Sequence, residues 1–270
     1  APRGNVERCT WRQKKASQEE QQLLKSHLLQ AGYRVLYSLA DTRYSGTALL
    51  VKPGFEPLQV LCTFPGEGVE TDHHPEGRVM IAVYEHFHIL NTYSPNNGWT
   101  EETFQRRADW DARLLQAVQA GALKDRLIWV GDLNVSREDI DVSHPEFFRA
   151  QKGDKGAPCP TATEDVGQPG FTPREQQRFA AILEAGGLVD TYRHLHPEPS
   201  ADDYTWRGSP PVYAKYYGRG MRIDYALMSR PLVNRLGVRE SRVVGRGAER
   251  GGFMGSDHSP VVLVLGKGEG

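Results

Sequence analysis

The sequence predicts an α/β fold, and three observations point to it. Short runs rich in β-branched and aliphatic residues recur along the chain, among them 34–38, 47–51, 127–130 and 260–265. Two longer segments between them carry helical periodicity, 101–120 and 173–185. Gly, Pro and Asn mark most of the joints.

The elements follow in order. Residues 1–16 are polar and aperiodic and are expected to be flexible. Ser17 with Glu20 reads as a capping box that opens a helix running to about Gln30, stopped by Gly32. Strands are expected over 34–38, 47–51 and 58–62. The runs 79–84 and 86–92 have almost nothing between them and read as neighbouring antiparallel strands. The helix over 101–120 aligns Phe104, Ala108, Leu114, Leu115 and Val118 on one side and stops at Gly121. A short apolar strand over 127–130 runs into Gly131. Residues 142–170 form a long loop, which in a compact domain is usually functional or disordered. In Thr172-Pro173-Arg174-Glu175 the threonine caps, the proline takes the first helical position and the glutamate closes the box. A second long loop, 200–220, is rich in aromatics and glycine. The strand over 222–228 alternates Ile223, Tyr225 and Leu227 against Arg222, Asp224 and Ala226. The last strand, 260–265, is continuously apolar and is expected to be buried. With no repeat and no linker, 17–268 reads as one domain.

Composition bounds the function. At 270 residues and 39% hydrophobic, the chain can bury a sizeable core. No apolar run approaches the roughly 18 residues of a membrane span. The net charge of −1 speaks against extensive phosphate contact. Its distribution speaks for it, because ten basic residues stand against four acidic ones between Tyr204 and His258. A solvated basic face is the alternative. Three widely spaced cysteines, Cys9, Cys62 and Cys159, with no CxxC, predict reduced thiols inside a cell and no cysteine-built zinc site.

Two short motifs offer chemistry. Asp132 and Asn134 follow a strand through Gly131, and a spacing of two lets both side chains enter one cavity. A carboxylate beside an amide suits a hard cation or the activation of a water. A turn built on an Asx pair accounts for them as well. Asp257 and His258, in Gly255-Ser256-Asp257-His258-Ser259-Pro260, precede the last strand. Adjacent side chains on a strand diverge, so another carboxylate should orient the histidine, and Asp224 is the candidate. Ser256 lacks the nucleophile-elbow pattern of serine hydrolases. Tyr93 and Asn96 flank a Pro-Asn turn. Tyr204, Trp206, Tyr213, Tyr216, Tyr217 and Met221 alternate with basic residues, a pattern suited to stacking on bases or to anchoring a buried loop.

Read together, the ordered motifs Tyr93-Ser94-Pro95-Asn96, Gly131-Asp132-Leu133-Asn134-Val135, Gly170-Phe171-Thr172-Pro173-Arg174-Glu175, Arg222-Ile223-Asp224-Tyr225 and Gly255-Ser256-Asp257-His258 resemble the exonuclease III family of apurinic/apyrimidinic (AP) endonucleases, its plant and algal branch above all. The resemblance spans about 33–265. It implies a four-layered α/β sandwich, two packed mixed sheets flanked by helices. It implies a Mg²⁺- or Mn²⁺-dependent phosphodiesterase that incises double-stranded DNA 5′ to abasic sites, with 3′–5′ exonuclease or 3′-phosphodiesterase activity beside it. A DNase I-like nuclease, a sphingomyelinase, an inositol-phosphate phosphatase or a non-catalytic DNA-binding relative are the alternatives.

By the same resemblance Asp132 manages the proton of the attacking water or the leaving group, and Asn134 supports the transition state. Asp224 orients His258, which contacts the scissile phosphate, and Tyr93 with Asn96 hydrogen-bonds in the phosphate pocket. Asp132, Asn134, Asp257 and His258 form the implied metal site. Tyr44, Trp99, Trp206, Met221 and Arg222 are the implied DNA contacts. A monomer is expected, free of membrane, in the nucleus, with plastid or mitochondrion as the alternative. The family opens on strands carrying Trp-Asn and Gln-Glu, the glutamate being a metal ligand. Residues 1–32 match neither, so the chain is expected to be N-terminally incomplete.

Overall fold

A computed structural model describes residues 26, 30–41, 44–65, 74–121, 123–153, 160, 162–208, 214–245 and 256–266. The segment 1–16, the helix expected over 17–30 (apart from Ser26 and Gln30, both helical), Tyr213 and Gly255 lie outside the described residues. The chain divides into two compact units, one holding 1–93 with 127–129, the other 94–126 with 130–270.

In the first unit, β1 (Arg34–Ser38) pairs antiparallel with β2 (Thr47–Val51). β3 (Gln59–Leu61), β4 (Val79–Val83) and β5 (His88–Tyr93) form an antiparallel meander, as the nearly contiguous β-rich runs predicted. Val79, Met80, Ile81, Ala82 and Leu90 are its core, and the Trp129 indole donates to Thr92 Oγ1 at 2.8 Å. Gly77, two residues before β4, sits at φ +62, and a Cβ there would come within 2.5 Å of the Ser38 carbonyl oxygen, so this position must be glycine. Cys62 is disulfide-bonded, which corrects the expectation of reduced thiols. The other two cysteines lie outside the described residues.

The second unit carries α1 (Glu101–Gln119), β6 (Leu127–Asp132) from Val130 onward, α2 (Pro145–Arg149), α3 (Pro173–Ala185), β7 (Leu188–Asp190) and α4 (Thr191–Leu195). It continues with β8 (Trp206–Arg207), β9 (Gly220–Met221), β10 (Asp224–Ser229), α5 (Arg230–Leu236), β11 (Val238–Val243) and β12 (Val261–Leu265). β6 lies beside β10, and β10 pairs antiparallel with β7. β8–β9 and β11–β12 are separate antiparallel pairs.

Thr100 caps α1 in a capping box with Thr103, and Phe104, Trp110, Leu114, Ala117 and Val118 are buried along the helix. The predicted box at Thr172 forms, with Glu175 N–H on Thr172 Oγ1 at 3.3 Å. Glu175 is wholly buried, and its Oε2 also accepts the Gly170 N–H at 2.9 Å. Burial raises its pKa.

β7, α4, α5 and β11 escaped the sequence reading, and α2, β8 and β9 form within segments expected to be loops. β12 corrects another expectation. It is half-buried rather than buried, with Val264 38% exposed, because it pairs only with β11 in a two-stranded sheet. No described helix is long and apolar enough to cross a membrane.

Candidate active site

β6 delivers Asp132 at its C-terminal end, and the chain then turns sharply. Gly131 has φ +132 and Asn134 φ +47, a left-handed conformation that asparagine tolerates better than most residues. The turn closes on itself. Asp132 Oδ1 accepts the Asn134 N–H at 2.9 Å, and Oδ2 accepts from Asn134 Nδ2 at 3.2 Å. Asn134 Nδ2 also donates to the Ser94 carbonyl at 2.9 Å, and Asn134 Oδ1 accepts from Asn96 Nδ2 at 3.4 Å. The Ser94 N–H bonds back to the Asp132 carbonyl at 2.8 Å. The Asx-turn reading and the catalytic reading thus describe the same residues: the turn is what aims the carboxylate.

A second segment brings Asp224 to His258. Fully buried Thr205 accepts the N–H groups of both Ile223 and Asp224 on its Oγ1, each at 3.0 Å. Its carbonyl accepts the Ser259 N–H at 2.7 Å, and Trp206 forms a β-bridge with His258. Residues 205–206 therefore stitch the start of β10 to the approach to β12. His258 Nδ1 and Asp224 Oδ2 lie 2.9 Å apart, the predicted orienting pair. A cavity of about 590 Å³ opens beside them, lined by Val130, Gly131, Ala226, Pro260 and Val261 as well.

The charges respond to this packing. Burial first, then the charge of Asp224, pushes Asp132 up to about 7, against the opposing pull of His258, the Asn134 N–H and Arg107. Burial works against a charged His258. The hydrogen bond and charge of Asp224, helped by Asp132 and Asp257, overcome it and raise the imidazole to about 9. The folded pKa lies above the ordinary 6.5, so protonated His258 stabilises the fold fully below pH 6.5. That contribution fades as pH rises through about 9. In metal-free protein, the His258 resonance followed by NMR should titrate near 9, and Asp224→Asn should move the midpoint down toward 6.5. An unmoved midpoint would mean that Asp224 does not hold the imidazolium.

Asp132, Asp224 and His258 offer ligand atoms all within 4.8 Å of one another, the one such cluster of His, Cys, Asp and Glu among the described residues. Two carboxylates whose mutual repulsion raises one pKa suit a divalent cation, which would remove that repulsion. The cluster differs from the expected metal set. It includes Asp224, whereas the Asp257 carboxylate accepts the Trp206 indole N–H at 2.9 Å and lies outside it.

The remaining predicted residues divide. Tyr93 ends β5 in the first unit, where Arg78 lies 4.7 Å from its ring centroid and Arg78 Nη1 donates to its carbonyl at 2.9 Å. Tyr44 is 74% exposed, and Trp99 is half-buried ahead of α1. Met221 and Arg222 are corrected. Met221 packs against Val142, Phe148, Phe171 and Ile223, and Arg222 is 1% exposed between Asp141 and Asp190, so neither presents a side chain to DNA here. The sequence reading missed Ser94, Thr205 and Arg107. Ser94 pairs through its backbone, and the Thr205 hydroxyl and the Arg107 guanidinium pair with backbone groups of other segments, none of which leaves a motif.

The endonuclease/exonuclease/phosphatase family matches residues 14–258, and the chain belongs to that family. It is 48% identical over 259 residues to an Arabidopsis thaliana DNA-(apurinic or apyrimidinic site) endonuclease, a match covering 94% of this chain and 69% of the relative. A Bacillus subtilis exodeoxyribonuclease is 32% identical, with 86% of this chain and 79% of the relative covered. Among solved structures, an AP endonuclease from Archaeoglobus fulgidus superposes with a TM-score of 0.68 at 26% identity, covering 92% of this chain and 84% of that one. The resemblance read from the motifs and the DNase I-like α/β fold it implied are both borne out.

Proposed function

We propose that this chain hydrolyses the phosphodiester 5′ to an abasic site in double-stranded DNA and leaves a 3′-hydroxyl, with Mg²⁺ or Mn²⁺ as cofactor. The observation that carries it is the pairing of opposite proton states in one site. Asp132 is poised near neutrality, and Asp224 keeps His258 charged within 4.8 Å of it.

Each residue then has a task. Asp132, ionised above about pH 7, accepts the proton of the attacking water. His258 turns Nδ1 to Asp224, which leaves Nε2 to donate to a phosphoryl oxygen as charge builds there. Asn134 fixes the Asp132 carboxylate, and Asn96 fixes Asn134. The family resemblance gives Tyr93 a hydrogen bond to the phosphate and Tyr44 and Trp99 contacts to DNA. Asp132 and Asp224, with Asn134 beside them, would hold the cation, while His258 stays protonated; the cation would supply neutralisation of phosphoryl charge and of the leaving oxyanion. An abasic nucleotide lacks stacking, so it leaves the duplex at lower cost than an intact one, and that difference supplies selectivity. On the family resemblance alone, we further propose a monomer that works on DNA in the nucleus, with plastid or mitochondrion as the alternative.

The test is incision of a duplex bearing one abasic site. Cleavage 5′ to the site in Mg²⁺, abolished by EDTA and restored by added metal, is the expected result. Binding of the abasic duplex without nicking in any divalent metal would leave a DNA-binding relative instead.

A further inference from the structure

Arg107, on α1, is 2% exposed. A guanidinium buried that deeply must have its charge and its donors compensated, or it would not stay there. Its Nε donates to Asp111 Oδ1 at 2.9 Å, one turn along the helix. The rest of the fork leaves the helix. Nη1 donates to the carbonyls of Pro95 at 2.8 Å and Asn134 at 3.1 Å, and Nη2 to the carbonyl of Leu133 at 2.9 Å.

Those three carbonyls belong to the two segments that carry the proposed catalytic groups. Pro95 sits between Ser94, which accepts from Asn134, and Asn96, which donates to it. Leu133 and Asn134 form the turn that aims Asp132. That turn holds a left-handed Asn134, a conformation that persists only when its surroundings impose it. From the far side Gly170 leans on the same peptide, and a Cβ there would lie 3.1 Å from the Asn134 carbonyl oxygen. Asp111 takes only the Nε–H of Arg107, and its second oxygen accepts from Arg178 Nε at 2.7 Å, so one carboxylate serves two guanidinium groups. The two Nη groups of Arg107 are engaged by the three carbonyls. Spanning them needs a planar fork, which lysine does not have.

We propose that Arg107 is a positioning residue for phosphodiester hydrolysis: it binds the 95 and 133–134 backbones into one rigid piece, so that Asn134 holds Asp132 at its working angle. The proposal rests on the hydrolytic reading above.

Two variants separate positioning from stability. Arg107→Lys keeps the ion pair with Asp111 and gives up the span. Arg178→Lys disturbs the same Asp111 and touches no carbonyl of the site. Both are assayed for melting temperature, for duplex affinity in EDTA, and for kcat and KM on abasic DNA. The expected result is a similar modest drop in melting temperature for both. Arg107→Lys should lose about 100-fold in kcat, the scale of an ångström of misplacement, with KM and duplex affinity within about threefold of wild type. Arg178→Lys should keep kcat within about threefold. In an Asn134→Ala background, Arg107→Lys should cost less than about threefold more, because its route through Asn134 is already cut.

The proposal is overturned if folded Arg107→Lys keeps its kcat, or if Arg178→Lys loses as much. Should Arg107→Lys not melt cooperatively, Arg107→Gln takes its place, and failure of both to fold makes Arg107 a core residue and ends the proposal. A wild-type chain that does not incise abasic DNA refutes the hydrolytic reading instead, so the two failures are told apart.

Discussion

Asp132→Asn should lower incision of an abasic duplex by about 10³- to 10⁴-fold, the upper range for losing a general acid–base group, and leave duplex binding in EDTA intact. The side chain accepts two hydrogen bonds from Asn134, and an asparagine oxygen can keep one of them, so the turn survives. What disappears is the proton acceptor. Stability should move the other way. Folding raises the Asp132 pKa from 3.8 to about 7, so the ionised carboxylate destabilises the fold, fully so above about pH 7 and not at all below 3.8. In EDTA at pH 8 the variant should therefore melt at or above wild type, and the advantage should shrink as pH falls toward 4. A variant that retains a tenth of wild-type incision would remove Asp132 from the chemistry.

Arg222→Met should be the most destabilising single change, by about 3–5 kcal/mol, the usual cost of breaking a buried ion pair from one side. Arg222 Nε and Nη2 both donate to Asp141 Oδ1, at 2.9 and 2.8 Å, and Nη2 reaches Asp190 Oδ2 at 2.7 Å. Nη1 has no hydrogen-bond partner. The guanidinium lies instead 4.5 Å from the Tyr225 ring centroid and 5.5 Å from that of Tyr192. Asp190 in turn caps α4 through the N–H groups of Tyr192 and Arg193. Removing the cation takes the ion pair from Asp190 and leaves Asp141 with Arg193 and the Glu138 N–H. Urea unfolding at pH 7 measures the loss, and the salt dependence of duplex binding by the folded fraction should stay as in wild type. A normal unfolding midpoint with a shallower salt slope would restore Arg222 to the DNA surface.

Arg222 also shows where sequence reading stops. The family resemblance implied a nucleic-acid contact for it, but the order of motifs along a chain says nothing of burial. The acids that bury it, Asp141 and Asp190, lie 81 and 32 positions away. Asp132, Asn134, Asp224 and His258 were legible because their order along the chain is a pattern, and the structure brings the three titratable members together. The strongly periodic helices were legible for a similar reason. β11 was not, because Val238-Arg239-Glu240-Ser241-Arg242-Val243 interrupts its apolar alternation with charge. Trp206 was named for stacking on bases, yet its indole N–H is spent on Asp257. An aromatic residue in sequence does not reveal which of its edges is used. Ser94 and Thr205 left no trace, since a buried hydroxyl or carbonyl that holds a neighbouring segment belongs to no residue pattern.

The half-buried β12 sets how this protein should age and fail. The imidazole reaches its carboxylate only while the approach to β12 stays stitched to Thr205 and the strand stays zipped to β11. Such a two-stranded ribbon belongs among the first parts of a fold to open and close on its own. Loss of competence can then precede loss of the fold, as a reversible fraying that silences the histidine while the buried helices and the central strands persist. For an enzyme that breaks DNA this is a safe order of failure: a warm or damaged molecule stops cutting before it comes apart.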